Sequence, residues 1–470
     1  MINLYDYQLS IVDGTRAAMR RNKSNLVVVP TGGGKTVLSC YIIAAAAAKG
    51  STATFLIPRK ELMRQVSATM ADFNIPHGLI SPDYAPNPFA NVQVAMAQTL
   101  IRRMGKMTPP KLLMVDEAHI GGADIERIIA WVLDAGGWVV GLTATPSRAD
   151  GKALGGVYSE IIEGPSVADL IAANRLSDYR YFGPGAPDLS KVAVGAHGDY
   201  VQSQLSSFME ADKAIIGDAV KTYKQFADGK LNIVFATSRK HSGMISDAFN
   251  SAGVASAYID GTMNDAERRK IIMAFARREL KVLTSVALLS VGFDLSSAAG
   301  MDVTVESMSD LAPTKSLPLQ AQRWGRVLRA KPYPAIIMDH ANNWREHGFP
   351  DDPREWSLDG KKKRAAADEK AEPARQCPID DGGCGFVHRP APCCPNCGRI
   401  YEIQSRMVAE IDGDLAEIDR KAMVRERKQE QGMSKDLNAL ILLGKSKGYP
   451  RPDLWAKKVM AGREAKLRRA

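Results

Sequence analysis

Six consecutive residues, Thr31-Gly32-Gly33-Gly34-Lys35-Thr36, join an apolar β-type run at 25–29 to an apolar helical stretch that continues through Ala48. Phosphate groups need backbone N–H donors at close range, which glycines permit, and they gain from the positive end of the helix that follows. In a turn of this kind Thr31, Gly32, Gly33 and Gly34 form the cradle. Lys35 reaches the outer phosphates of ATP, and Thr36 supplies a hydroxyl to Mg2+. Val29 stands six residues before the lysine, where the phosphate-loop pattern has glycine. About 80 residues further on, Asp116-Glu117-Ala118-His119 follows the apolar run Leu112–Val115. A carboxylate at the carboxyl end of a strand can hold Mg2+, and its neighbour can orient and deprotonate an attacking water. Alone, such a pair reads as two solvated side chains in a loop. Downstream of a phosphate loop, it reads as a metal ligand, Asp116, and a base, Glu117.

A second chemistry is written in cysteine. Of six cysteines, Cys40 lies in an apolar helix and reads as core, while five fall between Cys377 and Cys397. Cys394-Pro395-Asn396-Cys397-Gly398 puts two thiolates where both can reach one tetrahedral ion. Cys384-Gly385-Phe386 has the form of a second such turn, but its partner position three residues earlier is Asp381. Cys377 must then serve across a longer loop. The expected Zn2+ ligands are Cys377, Cys384, Cys394 and Cys397, with Cys393 or His388 as substitutes and reduced free thiols as the alternative.

The 470 residues leave room for about three domains. At 45% hydrophobic and 24% charged, the composition is that of an ordinary soluble protein. The longest apolar stretch, Tyr41–Ala48, is far short of a membrane span, and the N-terminus lacks the basic and apolar regions of a secretion signal. These features argue against a membrane role, and a cytoplasmic location is expected. The net charge of +10 is concentrated: residues 420–470 carry 15 Lys/Arg against 5 Asp/Glu. A basic tail is the usual electrostatic footprint for nucleic-acid phosphates; the plainer reading is a solvated helical face.

Apolar β-type runs at Ala53–Ile57, Leu112–Val115 and Val139–Leu142 alternate with helical patterns, which predicts an α/β fold with a parallel sheet. The rhythm restarts after residue 212, with strands expected at Asn232–Ala236, Ala255–Ile259, Lys281–Ser285, Val303–Glu306 and Ala335–Asp339. The expected division is an ATP-binding domain at 1–175, a connection at 176–211, a second α/β domain at 212–345, a linker at 346–376, a zinc module at 377–400 and a basic helical tail at 401–470. Gly444-Lys445-Ser446 imitates the end of a phosphate loop but follows a helical run and reads as chance.

The order of these motifs resembles helicase superfamily 2, DEAH-box type, over residues 1 to about 345. The resemblance implies two tandem RecA-like domains that close on ATP and move along nucleic acid, DNA in preference to RNA. Leu4-Tyr5-Asp6-Tyr7-Gln8 is similar to the segment whose Gln, here Gln8, reads adenine, although Tyr5 stands where relatives often have Arg. Pro58-Arg59-Lys60-Glu61-Leu62 and Gln98-Thr99 resemble motifs that touch the strand's phosphates, which implies contacts from Arg59, Gln98 and Thr99. Thr143-Ala144-Thr145-Pro146 resembles the motif that couples hydrolysis to those contacts. Phe235-Ala236-Thr237-Ser238 implies nucleic-acid contacts from Thr237 and Ser238, and Gly292-Phe293-Asp294 places Gly292 and Asp294 at the nucleotide. Gln322-Arg323-Trp324-Gly325-Arg326-Val327-Leu328-Arg329 implies that Arg326 and Arg329 cross the cleft to the γ-phosphate, where planar guanidinium groups neutralise spreading charge. Asp339-His340-Ala341-Asn342-Asn343, Arg345-Glu346-His347-Gly348 and the cysteine cluster together are similar to RadD-like bacterial DNA-repair helicases and their phage relatives. Ala312-Pro313 departs from that group, which tends to have Arg before the proline. Two other readings stay open: a translocase on intact duplex, and a zinc-dependent nucleic-acid adaptor whose ATPase has decayed.

Overall fold

The computed structural model describes residues 3–85, 87, 89–148, 152–183, 187–195, 198–286, 295–359, 374–379, 381–401, 433–434, 436–446 and 452–467. The chain divides into two units, Met1–Tyr401 and Glu402–Ala470. The first unit contains two parallel sheets in tandem. One is built from β1 (Ser24–Val28), β2 (Ala53–Ile57), β3 (Gly78–Ile80), β4 (Val92–Met96), β5 (Leu112–Val115), β6 (Trp138–Thr143) and β7 (Glu160–Glu163), in the order β3-β4-β2-β5-β6-β1-β7. The other is built from β8 (Tyr179–Phe182), β9 (Asn232–Phe235), β10 (Ser256–Ile259), β11 (Val282–Ser285), β12 (Ser307–Asp310) and β13 (Ala335–Asp339), in the order β10-β11-β9-β12-β13-β8. This is the α/β architecture that the alternation of apolar runs predicts. Helices cover both faces of each sheet, so the central strands β1, β2 and β5 are buried along their whole length. Successive side chains enter opposite cores: Val27 and Phe55 pack on one side of the first sheet, Leu26 and Leu56 on the other.

Several elements differ from expectation. Strands β3, β4 and β7 were not expected, and the strand expected at Val303–Glu306 lies four residues later, at Ser307–Asp310. Ser-Met-Ser-Asp has no strand signature, yet β12 is buried between β9 and β13, and two of its polar side chains, Ser309 and Asp310, find partners inside. Asn232 Nδ2, for instance, donates to Ser309 Oγ at 3.1 Å. The stretch expected to be only a connection contributes β8, paired with β13 at the sheet edge, and the helix Gln202–Ala211. The stretch expected to be a linker turns back to the first sheet. Leu358 C=O accepts from Leu154 and Gly155 N–H, both at 2.9 Å, and Trp356 and Leu358 pack on that domain's core. The lysine run at 361–364 lies outside the described residues.

A small antiparallel pair, β14 (Arg375–Gln376) with β15 (Val387–His388), carries the cysteine window. It docks on the open edge of β8: Gly183 N–H donates to Gly385 C=O at 3.0 Å, and the Phe386 ring stands 5.4 Å from the Phe182 ring. Covering an edge strand in this way removes a site for unwanted pairing. The second unit shows two helices, Leu437–Ser446 and Pro452–Leu467, which meet at Gly444. A Cβ on Gly444 would stand 2.9 Å from Pro452 Cβ. Lys445 and Ser446 thus end a helix, at its negative pole, which is the wrong end to hold phosphate. Among the described residues no helix is long and apolar enough to cross a membrane.

The second sheet carries a buried polar cluster at the carboxyl ends of β12 and β13. Asp310 accepts from Arg323 Nη1 at 3.0 Å and from Asn343 Nδ2 at 3.1 Å, and Arg323 Nη1 also donates to Ala312 C=O at 2.6 Å. The neighbouring carboxylate, Asp339, accepts from Tyr181 Oη, Trp344 N and Ala341 N at 2.8–3.0 Å. Burial, and then the charge of Asp310, push Asp339 up to about 7. Arg323 therefore belongs to the scaffold and fastens the helix Leu317–Val327 to the sheet. Its side chain and that of Asp310 are 4% and 1% exposed, so removing one partner strands a buried charge. Arg323→Ala is expected to cost about 3–5 kcal/mol of stability in denaturant unfolding; a change within about 0.5 kcal/mol would show that the pair is dispensable.

Candidate functional site

At the carboxyl end of β1 the chain turns through Pro30 into the glycine run. Gly32 and Gly34 have φ of +90° and +84°, a backbone region that favours glycine. The helix Lys35–Ala47 then starts from Gly34, so its first N–H groups open toward the loop. Val29 is fully buried beneath the turn, where a Cβ on Gly33 would stand 2.6 Å from Val29 Cγ1. The bulk that departs from the phosphate-loop pattern thus fills the underside of the loop, where Gly33 N–H donates to Pro30 C=O at 3.0 Å. Gln8 is 4% exposed and lies against Gly34, where a Cβ would come within 2.4 Å of its Nε2. Its Oε1 accepts from Tyr5 N–H at 3.0 Å, and Tyr7 Oη donates to Gly33 C=O at 3.3 Å. Tyr5 stacks on Tyr7 with ring centroids 5.9 Å apart, and the Arg175 guanidinium lies 3.7 Å over the Tyr5 ring. An arginine from another segment therefore stands beside Tyr5, where relatives carry arginine in the segment itself. Sequence reading had no signal for Arg175.

Asp116 and Glu117 leave the end of β5, two strands from β1 in the same parallel sheet, and both are buried. Burial, and then the charge of Glu117, push Asp116 up to about 7, while the Lys35 ammonium and the Glu117 N–H pull it back. Glu117 has φ of +47°, a strained value for a residue with a side chain. Its Oε2 is buried without a hydrogen-bond partner, as is Thr31 Oγ1. Orphaned oxygens of this kind call for an explanation, and a missing metal or ligand supplies one. His119 Nδ1 lies 3.4 Å from Glu117 Oε2 and 3.0 Å from Thr143 Oγ1, which donates to Thr145 C=O at 2.8 Å. Burial holds the His119 imidazole below its usual range. The acidic motif and the Thr143-Ala144-Thr145 turn are thus one hydrogen-bonded piece.

The second domain reaches this site through the helix Leu317–Val327. A Cβ on Gly325 would stand 2.2 Å from Thr31 Cγ2, so helix backbone touches the phosphate loop. Arg326 is the next residue and is half-buried; Arg329, also half-buried, follows the helix and forms an antiparallel bridge with Leu176. Leu176 in turn lies where a Cβ on Gly32 would meet its Cδ2 at 2.8 Å. A cavity of about 110 Å³ remains beside this contact, lined by Thr31, Thr145, Trp324, Asp352, Arg354 and Trp356 among others.

The remaining expected residues are scattered along the strand ends. Arg59 follows β2 and is exposed; Gln98 and Thr99 open the helix after β4, Gln98 exposed and Thr99 buried. Thr237 is buried after β9, with Oγ1 at 3.0 Å from His241 Nδ1. Ser238 caps the following helix and donates to Glu210 at 2.5 Å. Thr237 and Ser238 thus have protein partners for their side chains. Gly292 and Asp294 lie outside the described residues. In the cysteine window, the sulfurs of Cys377, Cys384, Cys394 and Cys397 all lie within 4.8 Å of one another. Cys393 is exposed outside the cluster, and His388 is occupied by Tyr401 Oη and Arg389 C=O, both at 2.6 Å.

The glycine turn, the acidic end of β5, whose Asp116 feels the Lys35 charge, and the arginine-bearing helix of the opposite domain thus meet at one cleft. Its narrowest point is Gly325. An alanine in mid-helix is favoured over glycine by roughly 0.5–1 kcal/mol, but its methyl must push the helix off Thr31. Gly325→Ala is expected to keep or raise the unfolding midpoint while lowering ATP turnover by about 100-fold, the scale of a 1 Å misplacement. Turnover equal to that of the parent chain would show that the contact is not needed.

Two family profiles match the chain: type III restriction enzyme, res subunit, over residues 1–148, and helicase conserved C-terminal domain over residues 216–331. A 51.5 kDa protein of a Lactococcus phage is 32% identical over 357 residues, covering 75% of this chain and 74% of that one. A Saccharomyces cerevisiae protein with the name "Putative ATP-dependent helicase IRC3" is 28% identical, covering 69% of this chain; the chain spans 49% of its length. Among solved structures, the ATP-dependent Type ISP restriction-modification enzyme LlaBIII bound to DNA shares the fold with a TM-score of 0.51 at 16% identity, covering 72% of this chain and 28% of that one. With both halves of the cleft matched in order, the chain belongs to helicase superfamily 2.

Proposed function

We propose that this chain hydrolyses ATP and uses the cycle to move along or separate nucleic-acid strands, with DNA as its partner. The observation that carries the reading is the contact of Gly325 with Thr31, which puts the arginine-bearing helix of one domain on the phosphate loop of the other. In this reading the domains are 1–175 and 212–345. The N–H groups of Thr31, Gly32, Gly33 and Gly34 receive the phosphates, and Lys35 neutralises them. Thr36 and Asp116 hold Mg2+, whose charge offsets that building on the phosphoryl oxygens. Glu117, with an uncommitted Oε2, takes the proton of the attacking water. Gln8 reads the base, and Gly292 and Asp294 complete the nucleotide contacts. Arg326 and Arg329 neutralise charge on the transferred group when the domains close. His119, hydrogen-bonded to Thr143, relays the state of the acidic pair to the strand ends that carry Arg59, Gln98, Thr99, Thr237 and Ser238.

The names of the relatives support this reading: an ATP-dependent helicase in yeast and a DNA-bound enzyme among the structures. On the residues Asp116–His119 and the RadD-like features, we read the chain as a DEAH-box helicase of DNA repair, recombination or phage replication, acting in the cytoplasm. Lys35→Ala is expected to lose ATP binding and turnover together, whereas Glu117→Gln keeps ATP bound and stops turnover. Arg326→Ala or Arg329→Ala should lower stimulated turnover by about 10³-fold or more. ATPase rates with single-stranded DNA, duplex DNA and RNA test the partner, and a forked duplex separates unwinding from translocation. Equal loss of nucleotide affinity in the Lys35 and Glu117 variants, or turnover indifferent to every nucleic acid, would overturn the reading.

The cysteine cluster fits a structural zinc. Zinc–sulfur bonds of about 2.3 Å set tetrahedral edges of about 3.8 Å. The Cys377–Cys397 and Cys384–Cys394 sulfurs are 3.8 and 3.7 Å apart. Two N–H groups already point at the sulfurs: Cys384 N lies 3.4 Å from Cys377 Sγ, and Asn396 Nδ2 lies 3.2 Å from Cys384 Sγ. In this reading the module at 377–400 depends on zinc and the two sheets do not. The chain should carry one zinc, lost on Cys394→Ser with Cys397→Ser and kept on Cys393→Ser. Metal analysis beside thermal unfolding decides, and zinc loss in the Cys393 variant would reassign the ligands.

A further inference from the structure

We propose that Lys331 is a positioning residue for Arg329, clamping the end of the arginine-bearing helix to the segment that joins the two domains. The proposal rests on the reading of Arg329 as a group that reaches the triphosphate. Three acceptors surround the Lys331 ammonium: Val327 C=O, Arg329 C=O at 3.2 Å and Ser177 Oγ at 3.0 Å. An ammonium has three donors, so each of the three has an acceptor. Val327 is the last residue of the helix Leu317–Val327, where a cation is favoured by the carbonyls left open at a helix's carboxyl end. Burial pulls Lys331 down to about 8, and the Glu306 carboxylate works against that, so the ammonium prevails at neutral pH.

Its partners make the contact more than a helix cap. Ser177 is 4% exposed and sits in the segment between β7 and β8, the crossing from one sheet to the other. Ser177 N–H donates to Leu328 C=O at 2.9 Å, and Leu176 bridges Arg329. Leu176 also packs over Gly32, and Leu170, in the same segment, lies 3.6 Å from where a Cβ on Gly33 would stand. The crossing segment therefore touches the phosphate loop with its side chains and the Arg329 backbone with its main chain. Lys331 fastens the second of these contacts. Without it, the main chain at Arg329 loses one of its ties to the crossing segment, the others being the Leu176 bridge and the Ser177–Leu328 hydrogen bond.

Nucleic-acid-stimulated ATPase of the full chain tests this by comparing Lys331→Met, Lys331→Arg, Arg329→Ala and the Lys331→Met/Arg329→Ala double variant. Lys331→Met is expected to lower kcat by roughly 10–100-fold, the scale of a misplaced catalytic group, with the KM for ATP little changed. Lys331→Arg should recover most of the loss. In the double variant, turnover should be no lower than in Arg329→Ala alone, because a residue that acts through Arg329 has nothing left to position. Ser177→Ala, which removes one acceptor while leaving the charge, gives a milder loss of the same kind should Lys331→Met fail to fold. Losses that multiply in the double variant, or parent kcat in both Lys331→Met and Ser177→Ala, overturn the proposal. Parent turnover in Arg329→Ala instead overturns the assignment of Arg329, whatever Lys331 does.

Discussion

Between Gly325 and Thr31 there is no room for a methyl group. That restriction sets the geometry of the whole cleft, because it brings the backbone of one domain against the phosphate loop of the other. A helix held so closely must be fixed at every other point. Arg323 pins its middle to Asp310 at the end of β12. Lys331 and the Leu328–Ser177 hydrogen bond hold its carboxyl end. Arg354, whose Nη2 donates to His347 C=O and Phe349 C=O and whose guanidinium stands 5.9 Å from the Trp324 ring, flanks it from the returning chain. The three arginines of the helix motif consequently divide their work: Arg323 is spent inside the second domain, while Arg326 and Arg329 lie toward the contact.

The acidic end of β5 obeys an opposite rule. The helix is over-determined, but the carboxylates there are left short of partners. Asp116 is pushed up to about 7 by burial and by Glu117, and Glu117 keeps a buried oxygen without a hydrogen bond on a left-handed backbone. Such an arrangement is costly in the folded chain alone. A divalent ion beside the pair would reverse the cost, because its charge stabilises both carboxylates. The strain and the missing partner therefore lie where the proposed hydrolysis would need a metal and a base.

Much of this was legible in the sequence where the chemistry is local. The glycine run, the acidic motif and the cysteine pairs each require certain residue types at short spacing, and the structure shows each at a strand end or in one cluster. What stayed hidden is set by distant partners. β12 reads as polar, and what lets Ser309 and Asp310 sit inside is the pairing with Asn232 and Arg323, which the sequence does not display. By charge alone Arg323 cannot be told from Arg326; its pairing with the buried Asp310 is what identifies it as scaffold. Cys393 and His388, substitutes for the four expected cysteines, are set aside only by geometry, which leaves Cys393 outside the cluster and bonds His388 to Tyr401. Arg175 and Lys331 belong to no motif, since each acts through a neighbour that only the fold supplies.

The segment from Val167 to Phe182 ties these observations together. It leaves the first sheet, lays Leu170 and Leu176 against the phosphate-loop glycines, bridges Arg329, and then becomes β8, the edge on which the cysteine module docks. Leu170 and Leu176 pack with the core of the second domain although they touch the loop of the first. A rearrangement of the phosphate loop is therefore felt first by side chains that belong to the other domain. The path continues along one stretch of backbone to the arginine end and to the module edge. Contact at the loop, the arginine end of the helix and the edge that supports the module thus lie on one continuous stretch of backbone.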